Sequence, residues 1–262
     1  MGFDGSVELV YGQEKKIYSA NRNNRALGTR GKLPDGRVFR WSLNSTAAAL
    51  VANEVVQTMA NPSTSVHMHS LTPNANTSGV TTLSVTWATT PVVVNKYTDG
   101  YMLVDTAPGL SGLYRVKSNV AATSATAGQV VLDDNDPLTV ALTTVSKVGF
   151  ITNEYSSVVQ SPIKGSATGR VIGITPVAVT ASYYFWLQTY GLTSALAQGA
   201  LVSGMPVVRP MTTPGAVEAG WNSSVAPTTA TSSSLDVQVI GYAQNIGAGD
   251  GKRSFVFLTI AA

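Results

Sequence analysis

The residues of this sequence that could do chemistry are few, and they fall in three short stretches. His67 and His69 are its two histidines. Because alternate residues of a strand point to the same side, the pair could share a metal ion. Three aspartates within residues 133–136 crowd a turn and resemble half of a calcium loop, without the spacing and closing glutamate of an EF-hand. We expect surface histidines and a solvated turn here, and no metal site.

The third stretch, residues 247–253, is rich in glycine and ends in Lys252-Arg253. A Walker phosphate loop has four residues between its first glycine and the Gly-Lys pair, and a Ser or Thr after that pair. Here only three residues separate Gly247 from Gly251-Lys252, and an arginine follows. The stretch also precedes an expected strand, and a phosphate loop precedes a helix. We therefore interpret it as a hairpin loop.

Catalytic groups are scarce in the rest of the chain. The 262 residues include no cysteine, which excludes disulfides, thiolate catalysis and Cys-based zinc sites. No G-x-S-x-G nucleophile motif occurs. Two carboxylates for glycoside hydrolysis could meet only in the fold, so sequence alone leaves that alternative open. We predict that the protein is not an enzyme and uses no cofactor.

Positive charge is concentrated near the N-terminus. Residues 1–42 contain eight of the 17 Lys and Arg and four of the 14 acids, a net +4, and the remainder carries nine against ten, a net −1. Such an uneven distribution argues against nucleic acid as the main ligand, which would favour a broad basic face. It suits attachment to an acidic protein surface. The cations that we expect to make this contact are Arg22, Arg25, Arg30, Lys32, Arg37 and Arg40.

Several elements must position these cations. Leu33-Pro34-Asp35-Gly36 predicts a tight turn, and residues 37–43 beyond it predict a strand. Residues 18–30 are expected to form an extended basic arm. An apolar stripe at spacing four predicts one short helix over residues 46–60, although the Val-Val pair at 55–56 would equally suit a strand.

The remaining sequence alternates between short apolar runs and Gly, Pro, Asn or Asp turns. Such a rhythm predicts an all-β protein of β-sandwich or barrel domains. We place a domain boundary near residue 165, with residues 1–165 holding the arm, hairpin, helix and a β domain, and residues 166–262 a C-terminal barrel or sandwich. No apolar run approaches the roughly 18 residues that span a membrane. We expect no membrane partner and synthesis in a cytoplasm.

Residues 183–189 read Tyr-Tyr-Phe-Trp-Leu-Gln-Thr and predict a strand with large side chains on both faces. Both faces should therefore be covered, one by the core and the other by a neighbouring layer or subunit. Tyr184, Trp186 and Gln188 share one face, and we predict it as an oligomer interface. With charged residues at only 12% of the chain, a homo-oligomer is expected, most simply a trimer. A monomer whose strand is covered internally is the alternative.

Two segments carry a resemblance to a known group of proteins. They are GKLPDGRVFRW at residues 31–41 and YYFWLQTYG at residues 183–191, followed by Gly199, Gly204, residues 215–217 and residues 240–243. Together they resemble virion proteins encoded beside the major capsid protein in many tailed bacteriophages, usually capsid decoration (cement) proteins. The likeness covers about half of the chain and excludes residues 62–165.

The resemblance implies a β-rich subunit, commonly a trimer, on the outer surface of the capsid, where it braces the shell. It implies the major capsid protein as partner and no catalytic residues. A head-fibre, tail or spike protein is the alternative within the same class. A carbohydrate-binding adhesin is the alternative outside it, with Trp87, Trp221 and several tyrosines as candidate stacking platforms. The basic arm favours the first reading, because an isolated lectin would not need one.

Overall fold

The structure, a computed structural model, describes residues 6–21, 24–59, 68–87, 91–220, 238–244 and 249–261. Within these ranges the chain is built almost wholly from β-strands, which confirms the all-β prediction. Helical geometry is limited there to short 3-10 turns such as Gln13–Lys15 and Lys164–Ser166. None of the described segments forms a helix of the length and hydropathy that crossing a membrane requires.

The strands are mostly short. In chain order they are β1 Val7–Glu8, β2 Ile17–Tyr18, β3 Arg30–Lys32, β4 Val38–Leu43, β5 Val55–Gln57, β6 Met68–Pro73, β7 Thr82–Thr86, β8 Tyr101–Val104, β9 Leu113–Asn119, β10 Ala127–Leu132, β11 Val148–Ile151, β12 Val159–Gln160, β13 Val171–Ile174, β14 Tyr184–Leu196, β15 Pro206–Val208, β16 Glu218–Ala219, β17 Gly241–Ala243 and β18 Arg253–Thr259.

The chain divides into two units, and the second is inserted into the first. Residues 1–61 and 155–262 form the sheet unit, and residues 62–154 form the barrel unit. The predicted boundary near residue 165 is therefore wrong. The reason lies in long-range strand pairing: β5 pairs with β12 and β13, and β4 pairs with β14, so both ends of the chain build one sheet.

The barrel unit closes six strands in the order β10-β7-β6-β11-β8-β9. Strands β8, β9 and β10 alternate between buried and outward residues along most of their length, as half-buried strands do. Trp87, Tyr97 and Phe150 fill the interior, with ring centroids 5.2 to 5.7 Å apart. Trp87 is 1% exposed, so it provides no surface platform for a sugar. Trp221 lies outside the described residues.

The sheet unit is organised around β14, its longest described strand. The first half of β14 pairs with β4 and β2, and the second half pairs with β18. Phe185 and Leu187 pack into a core with Val158 and Ile172 on one face. Trp186 packs with Leu9, Phe39 and Trp41 on the other face. Both faces are covered, as the aromatic pattern predicted.

The helix predicted over residues 46–60 is wrong. Leu50 forms a bridge with Val179, and β5 pairs with two strands, so the segment's hydrogen bonds go to distant residues. Asn53 has a left-handed φ of 64°, which a helix does not accommodate. The β-branched pair Val55-Val56 is fully buried within β5, where branched side chains pack well.

Candidate binding surface

The predicted basic segment and the predicted aromatic strand meet in the folded chain. Trp41 of β4 lies directly opposite Trp186 of β14, so both indoles project to one face of the sheet. Their ring centroids are 5.1 Å apart at an interplanar angle of 62°. Gly31 of β3 allows this packing, because a Cβ there would lie 2.8 Å from both Leu9 Cδ1 and Trp186 Cζ3.

Arg25 lies over this pair of indoles. Its Cζ is 5.0 Å from the ring centroid of Trp41 and 5.0 Å from that of Trp186. Asn21 holds the segment in place, because its Nδ2 donates to the Arg25 carbonyl at 2.7 Å and its Oδ1 accepts from Trp41 Nε1 at 3.0 Å. Cation–π contacts stabilise such an arrangement by about 0.5–2 kcal/mol each. The guanidinium is thus positioned before any ligand arrives.

A cavity of about 490 Å³ opens beside Arg25. Lys16 contributes a second cation to its lining, and Gln13 and Tyr18 contribute polar side chains. No carboxylate of a described residue lines it, and neither Lys16 nor Arg25 forms an ion pair with such a residue. We call it the cationic cavity. Its chemistry fits a carboxylate, which a guanidinium binds through two parallel hydrogen bonds.

The remaining predicted cations lie elsewhere. Arg30 stands directly opposite Arg40 across β3 and β4, and Lys32 shares their side. Side-chain alternation along β4 places Arg40 on the opposite side of the sheet from Trp41 and the cationic cavity. Arg40 Nη1 donates to the Gly28 carbonyl at 3.1 Å. The cations therefore do not form one continuous surface.

The prediction of an extended arm over residues 18–30 is corrected by the same geometry. Residues 24–32 are folded against the sheet, with Arg30 and Lys32 inside β3. The physical reason is that the indoles of Trp41 and Trp186 need cover from water, and this segment provides it. Arg22 lies outside the described residues, so its contact remains a prediction.

Arg37 is held by an acid next to it in sequence. Its Nε lies 2.8 Å from Asp35 Oδ2 in the turn between β3 and β4. Partial burial acts to raise the pKa of the Asp35 carboxyl, but hydrogen bonds from the backbone N–H and guanidinium of Arg37 outweigh it, and the pKa lies below its ordinary value. A partner that bound Arg37 would have to compete with this internal pair.

The predicted oligomer face is also corrected. Trp186 and Gln188 are 1% and 2% exposed, and Tyr184 is half-buried. The cover on this face comes from the chain's own N-terminal segments, through Leu9, Tyr18 and Leu27, which pack in one cluster with Trp186 and Tyr184. A subunit contact through Trp186 or Gln188 would require those segments to move away. The oligomeric state itself stays a prediction.

Of the chemical candidates, the acidic turn is fully described. Asp134 pairs with Lys117 at 2.6 Å, Asp136 accepts from the Arg115 backbone N–H at 2.8 Å, and Asp133 accepts from the Asn135 backbone N–H at 3.1 Å. Each carboxylate thus has a partner of its own. Among the residues that the structure describes, no three His, Cys, Asp or Glu side chains come together as metal ligands would.

The other two stretches are only partly covered by the structure. His67 and the side chain of His69 lie outside its description, as do residues 245–248 of the glycine-rich stretch. The sequence interpretation missed Lys16, which lines the cationic cavity. The doublet Lys15-Lys16 before Ile17-Tyr18 was the signal available in the sequence, because both lysines continue the positive charge of the N-terminal region.

No family model matches the chain, and comparison with curated proteins and with solved structures gave no match either.

Proposed function

We propose that this protein is a capsid decoration protein of a tailed bacteriophage, bound to the outer surface of the shell. In this proposal, an acidic side chain of the major capsid protein enters the cationic cavity and pairs with Arg25 and Lys16. The likeness at residues 31–41 and 183–191 supports the class of function. The cationic cavity supports the mode of attachment, because its two cations have no carboxylate partner among the described residues.

The energetics favour a partly enclosed site over exposed cations. An exposed ion pair contributes about 0–1 kcal/mol, because water and salt screen it and both side chains must be ordered. Arg25 is already ordered over Trp41 and Trp186, so less side-chain entropy is lost on binding. A charge-assisted hydrogen bond in such a place contributes about 1.5–3 kcal/mol. Two cations acting together could therefore carry much of the attachment.

The test measures occupancy on empty shells of the major capsid protein encoded with this chain. Lys16→Gln combined with Arg25→Gln should weaken binding by about tenfold to a hundredfold. Lys117→Gln combined with Lys252→Gln removes the same charge from exposed positions and serves as the matched control. Circular dichroism and thermal unfolding confirm that both variants fold.

Two results would count against the proposal at different levels. If the unaltered protein does not bind the shells, the decoration function is wrong. If it binds and the cavity variant binds as tightly as the control variant, the decoration function stands and attachment through the cavity is wrong.

A further inference from the structure

A second opening lies on the same sheet face, on the other side of the 3-10 turn Gln13–Lys15. It is a groove of about 600 Å³ between that turn, the Asp35–Arg37 turn and the second half of β14. Phe255 and Phe257 of β18, with Tyr190 and Leu192 of β14, give it an aromatic and aliphatic wall. We call it the aromatic groove. Its volume lies within the roughly 300–1,000 Å³ typical of small-molecule sites.

The aromatic wall departs from the pattern of a half-buried strand. Val256 and Leu258 of β18 are fully buried in the core, so the residues that alternate with them should be polar. Instead, Phe255 is 55% exposed and Phe257 packs edge-on against Tyr190 at 5.3 Å. One exposed and two half-buried aromatic residues gathered in one concave place indicate a binding surface.

Strand register extends this wall across the sheet. Leu192 lies opposite Phe257, and Phe257 lies opposite Tyr242 of β17. Leu192 and Tyr242 are 47% and 44% exposed. Three neighbouring strands therefore present large apolar side chains in one row, which is more than the scattered exposure of ordinary surfaces.

The floor of the groove is polar. Gln188 lines it and is 2% exposed. Its Nε2 donates to the carbonyls of Tyr190 at 3.3 Å and Leu192 at 2.9 Å, which fixes the orientation of the amide. Its Oε1 accepts no hydrogen bond from any described residue. A ligand with hydroxyl donors would satisfy this oxygen.

The rim also offers oriented polar groups. Of the three guanidinium nitrogens of Arg37, only Nε bonds to Asp35, and the two terminal nitrogens have no hydrogen bond to a described residue. Gly191, with φ of 89°, allows Arg37 to lie against β14, because a Cβ there would be 3.1 Å from Arg37 Cγ. Formal charges in the lining balance, with Lys15 and Arg37 against Glu14 and Asp35. An uncharged ligand therefore fits better than an anion.

From these observations we infer that the aromatic groove binds an uncharged oligosaccharide. A pyranose ring has apolar C–H faces that pack on Phe255 and Phe257, and hydroxyls on its edge that reach Gln188 Oε1 and the Arg37 guanidinium. A second copy of the chain seated here through its own apolar row would leave these polar groups buried without partners, at about 1–3 kcal/mol each. The site is independent of attachment to a shell.

The test screens the full protein against an array of neutral oligosaccharides of the gluco-, galacto-, manno- and N-acetylhexosamine types, and measures affinity for the bound probe by titration calorimetry. Phe255→Ser should weaken binding by about three- to tenfold, because it removes one stacking surface. Leu113→Ser, at a 59% exposed apolar position of the barrel, should leave the affinity unchanged.

Saturable binding that depends on Phe255 supports the inference. Absence of binding across the array overturns it, and so does binding that Phe255→Ser leaves unaltered. A third result would also overturn the inference: the protein binds no probe on the array but associates with itself, and Phe255→Ser abolishes that association. The groove would then bind a second copy of the chain.

Discussion

Gly31 and Trp186 are packed so closely that the glycine has no room for a side chain. A Cβ on Gly31 would lie 2.8 Å from Trp186 Cζ3, and the indole cannot retreat because Trp41 and Arg25 pack against it. This contact joins the predicted turn-and-strand segment to the predicted aromatic strand. It also fixes one wall of the cationic cavity.

Gly31→Ala should therefore destabilise the protein. The added methyl group overpacks a filled core, which costs about 1–3 kcal/mol. Chemical denaturation measured by tryptophan fluorescence gives the free energy of unfolding. Gly165→Ala is the matched control, because nothing lies within 4 Å of its Cβ position, and it should change stability by no more than about 0.5 kcal/mol. Equal stability of the two variants would contradict the packing described for Gly31.

Tyr97→Phe should preserve or raise the stability of the barrel unit. The Tyr97 ring is 0% exposed and its hydroxyl has no hydrogen-bond partner among the described residues. A buried hydroxyl without a partner costs about 1–3 kcal/mol, and the variant removes that cost. Thermal unfolding at neutral pH measures the effect. A loss of more than about 1 kcal/mol would indicate a partner for this hydroxyl.

The same residue should make stability fall at high pH. Burial raises the pKa of the Tyr97 hydroxyl well above its usual range, so the unfolded chain ionises first, near pH 10. The Tyr97 contribution is complete below that pH and is lost as pH rises toward the folded-state pKa. Burial lowers the pKa of Lys96, which acts in the opposite direction. Comparing Tyr97→Phe with the unaltered protein above pH 10 isolates Tyr97, and identical slopes would contradict the prediction.

The sequence predicted the strands that build the binding surface but not their partners. The predicted strand at 37–43 corresponds to β4, and the one at 183–189 opens β14. Turn residues and aromatic alternation are local signals, so they are readable. What covers Trp186 is not local, because Leu9 and Leu27 are more than 150 positions away from it in the sequence. Arg25 was among the predicted cations, whereas its position over two indoles depends on that long-range pairing.

The helix prediction was wrong for the same reason, because long-range strand pairing decides the structure of residues 46–60. Ala47, Val51, Val55 and Met59 fall at helical spacing, and the strand preference of the Val-Val pair at 55–56 was the only local signal against a helix. The pairings of β5 with β12 and β13 join residues more than a hundred positions apart, and their hydrogen bonds override local propensity. The domain boundary failed likewise, because an inserted unit leaves no mark in composition.

Residues 62–154, expressed alone, should fold cooperatively. The barrel closes on itself, so it leaves no open sheet edge, and its core forms a separate cluster around Trp87, Tyr97 and Phe150. Calorimetry should show one two-state transition, and near-ultraviolet circular dichroism should show fixed aromatic packing. A broad transition with no near-ultraviolet signal would mean that the barrel depends on the sheet unit.

Closure of the barrel has a consequence for protein engineering. The chain enters through β6 and leaves through β11, and Met68 at the start of β6 lies opposite Phe150 near the end of β11. Paired residues of antiparallel strands are about 4.5–5.5 Å apart, so the start of β6 and the end of β11 lie at one end of the barrel. A foreign domain whose own termini are adjacent could be grafted between residues 61 and 155 in place of the barrel. The sheet unit would then serve as a scaffold into which different domains can be inserted.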